Sequence, residues 1–226
     1  MTNLIEINNL TKKYKQSKNI NVLKNLSFKF KKGKIYSIIG PSGSGKSTLL
    51  NLISLIDEPT SGKIKINEKN IDFKEKKTND LIRAKEIGII YQDKNLLTDF
   101  TALENVYLAR LNAISNKNNA VIEAKKIISK VGLSSRMNHF PSQLSGGESQ
   151  RIAICRALIN SPNIILADEP TGNLDYKNSK EVFSYFLKLK EKNKIILIAT
   201  HNRELAKKAD YTLSLVNGNI KRLNER

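Results

Sequence analysis

A glycine-rich segment in the first quarter of the chain has the residue types and spacing that bind phosphate groups. It matches the pattern G-x-x-x-x-G-K-S/T at every specified position. We call it the phosphate segment; its members are Gly40, Pro41, Ser42, Gly43, Ser44, Gly45, Lys46, Ser47 and Thr48. Glycines let backbone N–H groups point inward, and a helix start adds a positive dipole. Lys46 is expected to reach the β- and γ-phosphates of a nucleoside triphosphate, and Ser47 to ligate Mg²⁺.

Two carboxylates follow a short apolar run later in the chain. Asp168 and Glu169 come directly after Ile164–Ala167, which has the pattern of a buried strand. Ligand sites in open α/β sheets lie at the carboxyl ends of strands. We expect Asp168 to hold Mg²⁺ through water, and Glu169 to orient the attacking water or take its proton. Solvated acids at a strand end are the commoner explanation for such a pair alone, but the phosphate segment favours catalysis.

A second serine- and glycine-containing helix start lies at Leu144–Glu148, which we call the signature segment. Ser145, Gly146 and Gly147 precede a helix predicted to begin near Ser149, and together they form another anion-binding terminus. A chain that binds one nucleotide needs a second such terminus only if it serves the nucleotide of a neighbouring subunit. An ordinary capped helix is the alternative.

The elements that must position these segments follow an α/β pattern. An apolar strand over 34–39 precedes the phosphate segment, and an apolar helix over 47–56 overlaps its end and follows it. Strand patterns dominate from Leu4 to about Phe73, and helical spacing dominates from about Asn79 to Leu133 with a stop at Gly132. From Asn163 onward, strand and helix alternate.

This order predicts an α/β phosphate-loop fold with a mostly parallel sheet core, an N-terminal antiparallel β lobe and a helical insertion. We expect one domain over 1–226, with about 1–90 and 160–226 in the core and lobe and about 91–159 in a helical subdomain.

The apolar runs are too short to span a bilayer, which takes about 20 residues. With no signal-peptide pattern at the N-terminus, a cytosolic location is expected.

The charge balance is strongly basic. Lysine and arginine number 39 against 21 acidic residues, for a net charge of +18. Lysine, asparagine and isoleucine are encoded by A/T-rich codons, and the lysines are scattered along the chain, so genome composition can explain the positive charge. We therefore predict no nucleic-acid partner, while attraction to anionic lipid head groups stays open. The single cysteine, Cys155, excludes an internal disulfide and a cysteine-based zinc site, and is expected to be buried.

The ordered motifs resemble those of ATP-binding cassette (ABC) ATPases over essentially the whole chain. The motifs are the phosphate segment, Gln92 after an apolar strand, the signature segment, Asp168–Glu169, Gly172–Asp175 and His201. The resemblance implies a dimer in which each ATP lies between the phosphate segment of one copy and Ser145, Gly146 and Gly147 of the other. It also implies an ATPase that requires Mg²⁺.

The same resemblance assigns roles to single residues. Tyr14 would stack on adenine, Ser47 and Gln92 would ligate Mg²⁺, and Asp175 would bridge the two copies. Lys46, Glu169 and His201 would be catalytic, with His201 contacting the γ-phosphate. From the residues alone, Tyr14 could equally be an exposed tyrosine on a basic turn. His201 alone could be structural, but its place after the apolar run 195–199 favours the site.

Three longer segments resemble the ATPases of the bacterial lipoprotein-releasing system: Tyr91–Gln92 with Leu96–Val106, Asn138–Glu148 and Glu169–Asp175. That subfamily implies a transport ATPase on the cytoplasmic face of the inner membrane, bound to integral membrane permease subunits of the LolC/LolE type. Macrolide-type exporters and the cell-division cassette share the third segment and remain alternatives. Glu148 replaces a commoner glutamine, as suits the lipoprotein-releasing group, and Ser149 replaces the usual arginine.

The loop from Gln92 to Phe100 is the candidate docking site for those permease subunits. Leu96, Leu97 and Phe100 are apolar residues in a short polar loop, and exposed apolar patches often mark interfaces. The alternative is that Leu96 and Phe100 anchor the helical insertion to the core.

Overall fold

Ten strands carry the alternating and continuous apolar patterns in the described part of the chain. The computed structural model describes residues 3–15, 19–114 and 116–225. The strands are β1 (Asn3–Lys15), β2 (Asn19–Lys31), β3 (Lys34–Ile39), β4 (Ser61–Ile66), β5 (Lys69–Asn70), β6 (Ile87–Ile90), β7 (Ile164–Asp168), β8 (Ile195–Ala199), β9 (Tyr211–Val216) and β10 (Asn219–Glu225).

These strands form two sheets of different kinds. The N-terminal sheet has the order β2-β1-β4-β5 and is antiparallel throughout. The second sheet has the order β10-β9-β3-β8-β7-β6 and is parallel except for the β9–β10 pair. Apolar residues fill β7 and β8 because both faces of a parallel sheet are covered. The predicted mostly parallel core with an antiparallel β lobe is confirmed.

Among the residues described, seven α-helices accompany the two sheets. They are α1 (Lys46–Ile53), α2 (Lys76–Glu86), α3 (Ala102–Leu111), α4 (Lys117–Lys130), α5 (Gly146–Leu158), α6 (Tyr176–Lys188) and α7 (Arg203–Ala206). Helix α1 packs between the two sheets, in a shared apolar core. Helices α3, α4 and α5 have a core of their own that includes the buried Cys155. Gly132, at φ +73°, follows α4 as its predicted stop.

Two predicted helix limits were wrong, each for a local reason. Helix α1 ends at Ile53 and not at Ile56, because Leu55 adopts a left-handed backbone at φ +61°. Helix α5 begins at Gly146 and not near Ser149, because Ser145 caps it. The boundaries proposed for the helical subdomain, at about 91 and 159, stay a prediction. In the described part of the chain, every helix is too short or too polar to span a membrane.

Candidate nucleotide-binding site

The phosphate segment forms the turn between β3 and α1. Glycine is required at two of its positions for different reasons. A Cβ on Gly40 would lie 2.2 Å from the carbonyl oxygen of Leu215, so no larger residue fits there. Gly45, the N-cap of α1, has φ +100°, which side-chain-bearing residues rarely adopt. The turn therefore leads from a buried strand directly into a helix N-terminus, where backbone N–H groups bind anions.

Polar groups inside this turn have the bonding expected of a phosphate site. The Lys46 ammonium donates hydrogen bonds to the carbonyl oxygens of Gly40 at 2.9 Å and Pro41 at 3.1 Å. Ser44 is buried, and its Oγ has no hydrogen-bond partner among the described residues. A phosphate oxygen could accept from both Lys46 and Ser44. The turn is therefore folded around its own lysine and retains donor capacity for an anion.

Glu169 and His201 form a hydrogen-bonded pair beyond the carboxyl ends of β7 and β8. His201 Nδ1 lies 2.9 Å from Glu169 Oε2, and the His201 backbone N–H donates to the same oxygen at 3.2 Å. Glu169 has φ +46°, a strained backbone for this residue type, and its N–H donates to the Ala199 carbonyl at 2.9 Å. The Glu169 side chain is 14% exposed and that of His201 is 70% exposed. The carboxylate is thus fixed, while the imidazole is open to a ligand.

The side chains predicted to ligate Mg²⁺ lie around the same space. Ser47, Gln92 and Asp168 all line it, and Asp168 Oδ1 is buried without a hydrogen-bond partner in the described chain. The described residues contain no group of three or more His, Cys, Asp or Glu that could hold a metal ion by themselves. This set fits Mg²⁺, which keeps several waters and binds through few protein oxygens together with substrate phosphates.

These segments together line a cavity of about 520 Å³, which is within the range of small-molecule sites. Its walls are Val22, Gly40, Ser42, Gly43, Gly45, Lys46, Ser47, Thr48, Gln92, Asp168, Glu169 and His201. The fold therefore brings together the predicted phosphate, metal and catalytic residues. Pro41 and Ser44 belong to the turn but do not line the cavity. Val22 was not predicted, because an apolar residue in an alternating strand is usually core.

Tyr14 lies beside the cavity and is partly buried. Its hydroxyl donates to Asp57 Oδ2 at 2.8 Å and also shares a hydrogen bond with the side chain of Thr48, a cavity residue. Burial and the Asp57 carboxylate raise the pKa of Tyr14, so the phenol stays neutral at physiological pH. Tyr14 is thus held next to the phosphate segment, and its contact with adenine stays a prediction.

The signature segment begins α5, away from this cavity. Ser145 and Glu148 form a reciprocal cap: Ser145 Oγ accepts from the Glu148 N–H at 3.2 Å, and the Glu148 carboxylate accepts from the Ser145 N–H at 2.8 Å. A Cβ on Gly147 would lie 3.1 Å from Asn178 Oδ1 on α6. Ser145, Gly146 and Gly147 do not line the chain's own cavity. The second anion-binding terminus is therefore well formed but separate from the first.

Glu148 should stabilise this helix start in a pH-dependent way. The hydrogen bond from the Ser145 N–H, followed by that from Arg136 at 2.9 Å, lowers the pKa of Glu148 from its ordinary 4.5 to about 2. Because the folded-state pKa is depressed, the stabilisation is complete above pH 4.5 and is lost as the pH falls towards 2. Glu148→Gln keeps the cap but loses the ion pair, so it should cost about 1 kcal/mol at pH 7.

Urea unfolding of the parent and Glu148→Gln chains at several pH values measures this difference. We expect the gap in unfolding free energy to shrink below pH 4.5. A gap that stays constant down to pH 3 would show that the Glu148 charge does not contribute.

Comparisons with known proteins identify the family of the chain. Residues 23–172 match the family described as ABC transporter. The lipoprotein-releasing system ATP-binding protein LolD of Rickettsia bellii (strain RML369-C) is 48% identical, over 95% of this chain and 96% of the relative. The protein of the same name from Wigglesworthia glossinidia brevipalpis is 46% identical, over 98% and 97% of the two chains.

Solved structures agree at the level of the fold. The ATP-binding cassette MJ0796, solved as a dimer in a post-hydrolysis state bound to ADP and Pi, superposes with a TM-score of 0.91. It is 36% identical, and the alignment covers 98% of both chains. Architecture, cavity and similarity thus agree, and the chain belongs to the ABC transporter family as one of its ATP-binding cassettes.

Proposed function

We propose that this chain is the ATP-hydrolysing subunit of a lipoprotein-releasing transporter, powering release of lipoproteins from the inner membrane towards the outer membrane. The observation that carries the proposal is 46–48% identity to proteins named LolD over nearly the whole chain, in a chain whose cavity is lined by the phosphate segment, Asp168, Glu169 and His201. A macrolide-type exporter or a cell-division complex is the alternative, because their cassettes share the segment Glu169–Asp175.

The cavity residues divide the work of ATP hydrolysis. The phosphate segment and Lys46 bind the β- and γ-phosphates through N–H donors and a fixed ammonium. Ser47 and Gln92 would hold Mg²⁺, with Asp168 acting through water, and the ion would neutralise charge on the phosphates. Glu169 orients the attacking water or accepts its proton, and His201, fixed by Glu169, contacts the γ-phosphate. Phosphoryl transfer depends mainly on such positioning and charge stabilisation.

A second copy of the chain completes the site in this proposal. The Ser145 helix start has the N–H donors and dipole of an anion site, yet it lies outside the chain's own cavity. A nucleotide sandwich would place it against the phosphates held by the partner. Asp175, the N-cap of α6, lies near it in the fold, since Gly146 approaches Leu174. MJ0796, solved as a dimer, supports the pairing of two copies.

The docking site for the permease subunits is proposed at the junction of the core and the helical segment. A groove of about 740 Å³ runs between α2 and β6 on one side and α3 and α5 on the other, with Leu81 in its wall. On the adjoining loop Leu97 is 48% and Phe100 39% exposed, whereas Leu96 packs on the α3–α5 core. Leu96 is therefore an anchor, while Leu97 and Phe100 offer apolar surface. A cytoplasmic helix of a LolC/LolE-type permease, with the chain on the cytoplasmic face, is the occupant we propose.

Leu97→Asp should separate docking from catalysis. Leu97 is absent from the nucleotide cavity, so hydrolysis by the isolated subunit should stay within about twofold of the parent. Co-purification with the permease subunits should fall by about tenfold or more, because a buried charge in an apolar contact is costly.

Leu223→Asp is the matched control for that experiment. Leu223 is also 48% exposed, but it lies on β10, at the opposite edge of the sheet from β6. It should leave co-purification unchanged. If Leu97→Asp binds the permease as well as Leu223→Asp does, the loop is not the docking site.

Reconstitution tests the function itself. The chain is assembled with the permease subunits and a lipoprotein in proteoliposomes, and release of the lipoprotein to a soluble carrier is measured with and without ATP. The proposal expects ATP-dependent release that Lys46→Ala abolishes. Hydrolysis without lipoprotein release, or assembly only with an exporter or cell-division permease, would favour the alternative.

A further inference from the structure

Asp57 links the side chains of β1 that flank the nucleotide cavity. Its two carboxylate oxygens have different partners: Oδ2 accepts from the Tyr14 hydroxyl at 2.8 Å, and Oδ1 accepts from the Lys12 ammonium at 2.6 Å. The Lys12 and Asp57 side chains are only 11% and 27% exposed. Lys12 also donates to the Glu58 carbonyl at 2.7 Å. The pair is thus a largely buried and fully bonded contact.

Asp57 is in turn fixed to the helix that carries the phosphate segment. Its backbone N–H donates to the carbonyl of Asn51, in α1, at 3.2 Å. The first residue of α1 is Lys46. One rigid element therefore positions the phosphate-binding lysine at its start and the anchor of Tyr14 just after its end.

Lys12 distinguishes the two faces of the Tyr14 ring. Its ammonium lies over the ring, 4.8 Å from the centroid. A cation on one face leaves the opposite face for a stacked base, and the same cation attracts the π electrons of the ring. Groups of the protein, and not the nucleotide, therefore fix the position of the Tyr14 hydroxyl, the ring face that stays open and the contact with Thr48.

We infer that Asp57 is a positioning residue for nucleotide binding: with Lys12 it fixes Tyr14 as the platform for adenine at a set distance from the phosphate segment. The inference rests on the proposed ATP-binding function and assigns a residue that no sequence motif pointed to. Burial alone would raise the pKa of Asp57, but hydrogen bonds from Lys12, Tyr14 and the Glu58 N–H outweigh it and lower the pKa below its usual range. The Asp57 carboxylate therefore stays charged at physiological pH.

The test measures binding of two ligands, ADP and inorganic tripolyphosphate, to the full chain. A loss of ADP binding alone would report on positioning of the base, whereas a loss for both ligands would report on support of the phosphate turn. Tyr14→Ala should weaken ADP binding by about tenfold or more, since base stacking is lost. Asp57→Ala should weaken ADP binding by about threefold to tenfold, since the ring is no longer held. Neither variant should change tripolyphosphate binding, and Asp57→Ala added to Tyr14→Ala should cause no further loss for ADP.

Two further variants serve as controls. Tyr14→Phe removes only the hydroxyl and should weaken ADP binding as Asp57→Ala does. Glu58→Gln changes the neighbouring exposed carboxylate, which pairs with Lys76, and should bind ADP like the parent.

Asp57→Ala that loses tripolyphosphate and ADP equally would overturn the inference, because Asp57 would then support the phosphate turn through α1. Unchanged ADP affinity in Asp57→Ala would overturn it as well. A parent chain that binds neither ligand would instead refute the proposed ATP-binding function.

Discussion

Replacing Lys46 with alanine is expected to reduce ATP hydrolysis by about 10²–10³-fold, while the protein stays folded. Lys46 is the cationic side chain of the phosphate segment, and removing one such stabilising group typically costs about 10²–10³ in rate. The residue is only 9% exposed, but it lines the cavity, and its ammonium bonds the carbonyls of Gly40 and Pro41. Water can replace the ammonium there, so the melting temperature should fall by only a few degrees.

Steady-state phosphate release and thermal unfolding of the nucleotide-free chain measure the two effects. Lys63→Ala is a suitable control, because Lys63 is an exposed lysine on β4. Arg222→Ala is not suitable, because Arg222 contacts Tyr211 in the sheet. A collapse of the melting temperature in Lys46→Ala would show that Lys46 is structural. Retention of more than a tenth of the parent rate would show that Lys46 is not the phosphate ligand.

Replacing Glu169 with glutamine is the second change with a large expected effect. Loss of a general base costs about 10²–10⁴-fold in rate, and the amide keeps the size of the side chain. His201 should remain in place, because its backbone N–H and Nδ1 can still bond a side-chain oxygen at this position. ATP affinity should therefore stay close to that of the parent while turnover stops.

Single-turnover hydrolysis and nucleotide affinity distinguish this from a general disturbance of the site. His201→Ala should slow hydrolysis as well, without removing the carboxylate. If Glu169→Gln hydrolyses ATP at the parent rate, Glu169 is not the base. If it fails to bind ATP, the strained Glu169 backbone serves to shape the cavity rather than to catalyse.

Most of the cavity could be predicted because its residues lie in short segments with local signals. The phosphate segment is identified by glycines at fixed spacing, and Asp168–Glu169 by an apolar run that ends in carboxylates. Parallel pairing of β3, β8 and β7 then places these strand ends side by side. The resemblance to ABC ATPases added Gln92 and gave His201 its role, for which its position after the apolar run 195–199 was only a weak signal.

The remaining features depend on contacts between residues far apart in the chain. Asp57 meets Tyr14 across 43 positions, and nothing near Asp57 in sequence indicates that pairing. Val22 enters the cavity wall because the β2 strand passes beside Gly45, where a Cβ would lie 2.9 Å from Val22.

The start of α5 was missed for a local reason: two glycines disfavour a helix, whereas the Ser145–Glu148 cap favours it at that point.

The molecular mass of Glu169→Gln in solution tests the central claim most directly. The claim is that two copies enclose ATP between the phosphate segment of one and Ser145–Gly147 of the other. Light scattering with ATP and Mg²⁺ should give about 51 kDa, twice the 25.5 kDa of one chain, and the same chain with Gly147→Asp should remain at 25.5 kDa although ATP binds. A mass of 25.5 kDa for Glu169→Gln with ATP bound would contradict the account.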